Sequence, residues 1–409
     1  MFWEERIMKK IIASLLALTM AFGLTACAVP AATGTAQAPE EPAAEAVQAE
    51  TAETAGDTLK IGYNYFGSAS YTLMTLANHS GDALKILGDE YVASDDKFSL
   101  EQLVTDVENM ISAGCDGLVL WLPTDTLYLQ VAKMCEDAKI PFVLNDKLPM
   151  DESIIEEISK NPYFVGAFGV KNPQYGYALA DYAVAQGWKT CIITSSSVGD
   201  VSDTERMDAF KEIFEANGGQ VLAELHASTS DEALPQIEDA LVANGEVDFI
   251  YGVGGDFGNA ACAALEKTDY ATKVITTGID QGTLENFDNG RIVMVNGDYF
   301  INGTISVIAL QNYLEGNPLF TEDGKAPWIY NETSIDINEN TIDAFRKVFV
   351  DRLCYSEDEL KNMTYKYNPE FSYKDLEQIV ADYNFENRIK QAVEDGILTA
   401  DEAAAAGVQ

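Results

Sequence analysis

The sequence has few of the residues on which enzyme chemistry and nucleic-acid binding depend. Its 409 residues include only two histidines and six cysteines, and 26 basic residues face 66 acidic ones, which gives a net charge of −40. This charge repels phosphate backbones, so we expect no nucleic-acid partner. No Gly-rich phosphate loop, nucleophile elbow or cysteine–histidine pairing occurs in the sequence. We therefore predict that the protein is not an enzyme and uses no cofactor.

The histidines and cysteines also lack the spacing of a metal site. His79 and His226 lie in unrelated segments, so we predict no metal. Five cysteines follow Cys27, and their odd number and scattered positions argue against a disulfide framework or a zinc site. We expect buried free thiols.

The apolar run near the N-terminus is too short to span a membrane stably. Lys9 and Lys10 precede the run from Ile11 to Leu24, which is the pattern of a secretory signal peptide over residues 1–27. The run ends in Leu-Thr-Ala-Cys27, which resembles a bacterial lipobox. This resemblance implies that Cys27 is lipidated and anchors the mature protein at the outer face of the cell membrane. The alternative to a cleaved signal peptide is an uncleaved anchor helix. Met8 is an alternative to Met1 as the first residue of the protein.

Composition then divides the rest of the chain. Residues 28–57 are rich in Ala, Pro and Glu, which predicts a disordered tether. From residue 58 onwards, short apolar strands alternate with amphipathic helices, and this alternation predicts two doubly wound parallel-sheet α/β domains. Residues 331–409 break the alternation and form a mostly helical C-terminal extension, which we expect to pack around the domain junction.

Local signals place several helices. Ser99 is predicted to cap a helix whose Gln102 returns the bond, and Thr399 is predicted to cap a final short helix. The pattern of the extension predicts one helix over Leu376–Val393.

Polar and aromatic residues follow many of the predicted strands. In open parallel sheets, ligands bind beyond the carboxyl ends of the strands. Carboxylates, amides and hydroxyls bond sugar hydroxyls, and aromatic rings cover the apolar face of a sugar ring, so the set favours a neutral, hydroxyl-rich ligand. The alternatives are that the Asp and Asn residues merely cap helices and that Trp121 lies in the core. The candidate ligand-binding residues are Phe66, Tyr71, Trp121, Asn145, Asp146, Lys147, Thr204, Asp256, Asp280 and Asp298.

At these positions the chain resembles the ribose- and galactose-type sugar-binding proteins of bacterial ABC importers, with the type I periplasmic-binding fold. The resemblance covers about residues 58–330 and depends on four motifs, which are Pro141–Lys147, Asp203–Arg206, Gly252–Phe257 and Thr276–Asp280. Three positions depart from the family pattern: Lys147 and Thr204 each replace Arg, and Gly255 replaces Asn. These departures alter sugar contacts, so the motifs do not name the sugar.

The resemblance also implies how the domains are built. It implies an N-terminal lobe of residues 58–166 plus 299–330 and a C-terminal lobe of residues 167–298, joined by a three-stranded hinge. The hinge crossings are expected near Gly166–Gly169, Ile279–Thr283 and Gly297–Tyr299.

The function that the resemblance implies is that of an extracytoplasmic solute-binding lipoprotein. It would capture a monosaccharide or short saccharide by hinge closure and deliver it to the membrane subunits of an ABC permease. Two alternatives remain open: a ligand-sensing component for a receptor kinase or a chemotaxis system, and a nucleoside- or autoinducer-binding lipoprotein of the same fold.

Overall fold

The computed structural model describes residues 58–68, 70–297 and 300–409. The predicted signal peptide, Cys27, the tether and Asp298 lie outside these residues. Strands and helices alternate from residue 60 to residue 314. The elements are β1 (Lys60–Tyr65), α1 (Tyr71–Leu87), β2 (Glu90–Asp95), α2 (Leu100–Ser112), β3 (Gly117–Leu120), α3 (Asp125–Ala138), β4 (Phe142–Asp146), α4 (Glu152–Ser159), β5 (Phe164–Val170), α5 (Pro173–Ala185), β6 (Thr190–Ser195), α6 (Val201–Ala216), β7 (Gln220–His226), α7 (Ser230–Asn244), β8 (Phe249–Gly252), α8 (Gly255–Leu265), β9 (Lys273–Thr277), α9 (Gln281–Asp288), β10 (Ile292–Gly297) and α10 (Phe300–Leu314).

Two short strands and several short helices complete the chain. They are β11 (Trp328–Asn331), β12 (Ile335–Ile337), α11 (Ile342–Phe345) with a π-helical turn over Arg346–Val350, α12 (Glu357–Asn362), α13 (Tyr373–Asp382), α14 (Phe385–Glu394) and α15 (Ala400–Ala405).

The strands form two six-stranded sheets within the described residues. The first has the order β11-β5-β4-β3-β1-β2, and the second has the order β12-β10-β9-β8-β6-β7. All pairs are parallel except β10 with β12. Central strands such as β3 are buried at every residue, as expected for parallel strands with both faces covered. The predicted fold class, with two doubly wound domains and a helical C-terminal part, is confirmed.

The chain passes between the lobes after β5, after β10 and after β11. We define the N lobe as the first sheet with α1–α4 and α10, and the C lobe as the second sheet with α5–α9. β5 stays in the first sheet to Val170, four residues beyond the expected boundary at residue 166. The expected crossing near Ile279–Thr283 is wrong, because β9 and α9 both pack in the C lobe. The third passage instead lies between β11 and β12, which join different sheets.

Helix caps follow the local sequence. Ser99 Oγ accepts a bond from the Gln102 backbone N–H at 3.2 Å, and Thr399 forms a capping box with Glu402, so both predicted caps are confirmed. Gln102 does not return the bond to Ser99, because its side chain donates to Asp106 instead.

The extension contacts both lobes. Asn312 of α10 donates to the Met363 carbonyl at 2.8 Å and accepts from the Tyr365 N–H at 3.0 Å. On the other side, Arg346 donates to Asp288 of α9 at 2.8 Å. One apolar cluster runs through residues of both lobes and the extension. The extension therefore lies where the sequence led us to expect it, against the domain junction.

Candidate functional site

The cleft between the lobes holds two cavities. The first, of about 450 Å³, is lined by Trp121 and Lys147 of the N lobe and by Arg206 of the C lobe. The second, of about 670 Å³, is lined by Phe98 of the N lobe and by Asp280 of the C lobe. Both volumes fall in the range of about 300–1,000 Å³ that is usual for small-molecule sites.

The lobes also touch each other directly beside the second cavity. Thr72 Oγ1, in the first turn of α1, donates to the Ile279 carbonyl at 3.3 Å. Residues of both lobes therefore line each of the two cavities.

Asp146 is the central acidic group of the first cavity. Its two carboxylate oxygens accept bonds from Trp121 Nε1 at 3.1 Å and from Asn302 Nδ2 at 3.2 Å. Burial raises the pKa of the Asp146 carboxyl, while these two bonds and the positive charges of Arg206 and Lys147 oppose the rise. The backbone of Asp146 has φ of 65°, a conformation that is unusual outside glycine and that often marks a functional position.

Three aromatic rings form a row at the carboxyl ends of neighbouring N-lobe strands. Trp121 follows β3, Phe66 follows β1, and Phe98 lies just beyond β2. The ring centroids of Phe66 and Trp121 are 5.7 Å apart with an interplanar angle of 24°, and those of Phe66 and Phe98 are 5.5 Å apart. Buried Asn64 holds the Trp121 backbone, since it donates to the Trp121 carbonyl and accepts from its N–H, each at 2.9 Å. We call these three rings the aromatic row.

The C lobe contributes carboxylates to the second cavity. Asp280 caps α9, accepting from the Thr283 N–H at 2.7 Å, and it also accepts from Asn259 Nδ2 at 2.9 Å. Asp256 lies exposed in the first turn of α8. Desolvation raises the pKa of the Asp256 carboxyl, and repulsion from Asp203 and Asp280 adds to the rise. This cavity wall is therefore suited to accept hydrogen bonds.

Gly255 lies close to the Asp280 carboxylate. A Cβ at position 255 would lie 2.6 Å from Asp280 Oδ2. The Asp280 carboxylate is fixed by its bonds to α9 and Asn259, so the side chain at position 255 is absent to leave room for it.

We expect Gly255→Ala to weaken ligand binding about tenfold, because the added methyl group pushes the Asp280 carboxylate out of position. The affinity of the best saccharide ligand, measured by calorimetry, checks this. Gly245→Ala is the control for lost stability without a change in the cleft, since Gly245 lines neither cavity and its φ of 77° strains any side chain although the space around it is open. Equal affinities for Gly255→Ala and the unaltered protein would contradict the role given to this space.

Two predicted ligand contacts are not brought to the cleft surface. Asn145 is fully buried, and its amide donates to Tyr63 Oη at 2.7 Å and accepts from Ser306 Oγ at 3.2 Å. Thr204 lines neither cavity, and its hydroxyl donates to the Asp200 carbonyl at 2.6 Å. Both predictions are corrected, because the polar groups of these residues serve the fold of their own lobe.

Five of the other predicted residues line one of the two cavities. Trp121, Asp146 and Lys147 line the first cavity, and Asp256 and Asp280 line the second. Phe66 lies between Trp121 and Phe98. Tyr71 begins α1, but its side chain lies outside the described part of the structure, as does Asp298.

Arg206 is a cleft residue that the sequence did not single out. Its guanidinium donates to Asn172 Oδ1 at 2.9 Å and lies 3.5 Å from Asp203 Oδ1. Asn172 lies at the first passage between the lobes. One signal was present, since Arg206 ends the motif Asp203–Arg206, two residues after Thr204.

A buried acidic pair lies beneath the aromatic row. Asp96 is fully buried and accepts from Asn64 Nδ2 at 2.7 Å, and Asp106 is 8% exposed. Burial, together with repulsion from Asp106, raises the pKa of Asp96 from 3.8 to about 7. In the folded protein Asp96 therefore keeps its proton over a pH range in which the unfolded chain has lost it.

This shift predicts a pH dependence of stability. The stabilising contribution of protonated Asp96 is complete below about pH 4 and is lost as the pH rises through about 7. Asp96→Asn keeps an acceptor for Asn64 and carries no charge. We therefore expect the substitution to raise the free energy of unfolding at pH 8 by on the order of 2 kcal/mol more than it does at pH 5. Urea unfolding at both pH values tests this, with exposed Asp137→Asn as the control. An unchanged pH dependence in Asp96→Asn would refute it.

A serine–histidine–glutamate chain occurs outside the cleft cavities. Ser195 Oγ lies 3.0 Å from His226 Nδ1, and His226 Nε2 lies 3.2 Å from Glu224 Oε1. Ser195 is 1% exposed, so a substrate cannot reach its hydroxyl. These side-chain contacts link the ends of the neighbouring strands β6 and β7.

Metal sites, membrane-spanning helices and thiols are the remaining features of the described residues. Among residues 58–68, 70–297 and 300–409, no cluster of His, Cys, Asp and Glu suits a metal ion. No helix of this same part combines the length and apolarity of a membrane span. Four of the described cysteines are free and buried, and Cys354 is partly exposed.

Comparison with known proteins covers most of the two lobes. Residues 64–318 match the sequence profile of a periplasmic binding protein domain, which is more than half of the chain. A comparison with curated protein sequences gives no match.

Solved structures share the fold at low identity. A periplasmic ribose ABC transporter protein from Conexibacter woesei is 19% identical with a TM-score of 0.58, over 71% of this chain and 95% of that one. A solute-binding protein from Bacillus halodurans with bound myo-inositol is 17% identical with a TM-score of 0.58, over 71% and 99%. A solute-binding protein from Burkholderia graminis in complex with D-arabinose is 18% identical with a TM-score of 0.57, over 70% and 97%.

Proposed function

Because the chain belongs to the periplasmic binding protein domain family, we propose that it is the extracytoplasmic solute-binding component of a bacterial ABC importer. Its ligand is a small, neutral, hydroxyl-rich sugar held between the lobes. Among the solved structures of similar fold, one is a ribose ABC transporter protein, one contains bound myo-inositol and one contains D-arabinose. These ligands support the proposed ligand class.

The arrangement of Asp146 beside Trp121 carries the proposal. A carboxylate oriented by an indole N–H and an amide can accept hydroxyl protons, while the indole ring covers the apolar face of a sugar. Asp280 and Arg206 supply polar groups from the opposite lobe. The protein binds and releases its ligand without covalent chemistry.

Closure of the lobes is the proposed signal to the permease. A ligand favours the closed form only through contacts that it makes with both lobes at once. The three passages between the lobes act as the hinge. The permease membrane subunits then recognise the closed form and receive the sugar.

Cys27 is the proposed site of the lipid anchor, with residues 28–57 as the tether to the binding lobes. Expression of the full chain with labelled palmitate should label the protein, and Cys27→Ser should remove the label while leaving sugar binding intact. Equal labelling of the two proteins would rule out Cys27 as the anchor.

Ligand screening tests the function directly. Thermal-shift measurements on the mature protein, with monosaccharides, disaccharides, nucleosides and amino acids, should show stabilisation by one or a few sugars, followed by calorimetry on each. Stabilisation only by nucleosides or only by amino acids would overturn the sugar assignment.

A further inference from the structure

The aromatic row extends beyond the space that one sugar ring occupies. Its rings come from β3, β1 and β2, which are consecutive in the sheet, and neighbouring strands lie about 4.8 Å apart. The row begins at Trp121 in the first cavity and ends at Phe98 in the second. The two end rings therefore line different cavities, and Phe66 lies between them.

Phe98 is held in an exposed position. Its side chain is 52% exposed, although burying such a ring would be favourable. Its backbone has φ of 56°, and its N–H donates to the Phe66 carbonyl at 2.6 Å. Its ring also packs over Gly67, where a Cβ would lie 2.2 Å from Phe98 Cε2. The local chain thus keeps this ring at the mouth of the second cavity.

The two cavities differ in charge. Lys147 and Arg206 line the first together with acidic residues, whereas no basic side chain is among the described residues that line the second. The second cavity instead has Asp256 and Asp280 on its C-lobe wall and serine and threonine hydroxyls on its N-lobe wall. The two carboxylates therefore favour a group that donates hydrogen bonds and disfavour an anionic one.

We propose that the ligand is a saccharide of at least two rings, with one ring at Trp121 and Asp146 and a second, uncharged ring at Phe98, Asp256 and Asp280. This inference rests on the proposed sugar-binding function and narrows its substrate class. Each cavity accommodates one ring, and the aromatic row supports the linkage between them.

Calorimetry with matched sugars tests the proposal. The probes are D-glucose, D-galactose, D-xylose and L-arabinose, the disaccharides cellobiose, maltose, lactose and xylobiose, and a disaccharide ending in glucuronic acid. We expect a disaccharide to bind at least tenfold more tightly than its component monosaccharide, and the uronic acid form to bind at least tenfold more weakly than its neutral counterpart.

Two variants locate the second ring. Phe98→Ala should weaken disaccharide binding at least tenfold and change monosaccharide binding less than twofold. Gly67→Ala should have the same selective effect, because the added methyl group displaces the Phe98 ring. Tyr367→Ala, an exposed aromatic position in the extension at 46% exposure, is the matched control and should change neither affinity.

The outcomes separate this inference from the proposed function. If monosaccharides bind as tightly as disaccharides, or if Phe98→Ala weakens both equally, the ligand has one ring and the inference is overturned while sugar binding stands. If no saccharide in a complete panel binds, the proposed function fails and the inference fails with it.

Discussion

Asp146→Ala is expected to weaken saccharide binding about 100-fold, which corresponds to about 2.7 kcal/mol. The substitution removes the carboxylate that Trp121 Nε1 and Asn302 Nδ2 orient in the first cavity. A ligand hydroxyl would lose a charged acceptor in a partly buried site, and such losses are among the more costly for a hydrogen bond. Calorimetry with the best ligand of the screen measures the effect.

Two further variants make the Asp146 result interpretable. Asp146→Asn tolerates the positive φ of this position and keeps one oxygen, so we expect a smaller loss of about tenfold. Asp137→Ala, on the exposed face of α3 in the same lobe, should leave the affinity unchanged. If Asp146→Ala binds as tightly as the unaltered protein, the ligand lies elsewhere in the cleft.

Arg388→Ala is expected to lower the free energy of unfolding of the extension by about 2–4 kcal/mol. Arg388 is 8% exposed, forms a bidentate pair with Glu359 at 2.8 and 3.1 Å, and packs over the Tyr355 ring at 4.2 Å. It also donates to the Cys354 carbonyl. Removing it leaves the partly buried Glu359 carboxylate with only its bonds to Ser356 and also removes the packing on Tyr355.

Urea unfolding and thiol labelling measure the effect of Arg388→Ala. Labelling of Cys354, the one partly exposed thiol among the described cysteines, should accelerate as the extension loosens. Lys390→Ala, on the same helix and in an exposed pair with Glu386, should leave both measurements unchanged. Similar behaviour of the two variants would show that the Arg388 pair does not hold the extension in place.

The sequence predicted the central elements well and the marginal ones poorly. Apolar strands such as β3 were predicted because they are buried throughout. The edge strand β2 has no fully buried residue, and no apolar run marks it in the sequence. The predicted helix over Leu376–Val393 is two helices, because Asn384 caps α14 by accepting from the Asn387 N–H at 2.9 Å.

The residues of the candidate site also divide into those that the sequence predicted and those that it did not. Strand ends pointed to Trp121, Asp146 and Asp280, since the polarity of the sheet fixes which end of each strand faces the cleft. Phe98 and Arg206 could not be selected in this way. Phe98 lies beyond the edge strand β2, which no apolar run marks, and Arg206 lies in the second turn of α6 instead of at a strand end.

The sequence alone determined the alternation of strands and helices, and with it the two parallel-sheet lobes and the edge at which we expect a ligand. These features are encoded in local apolar periodicity and in the polarity of the strands. Tertiary structure decided which side chains share the cleft, where the chain crosses between lobes, and that the extension joins both lobes. These depend on contacts between residues far apart in the chain, such as Asp146 with Asn302 and Asp288 with Arg346, which no local pattern records.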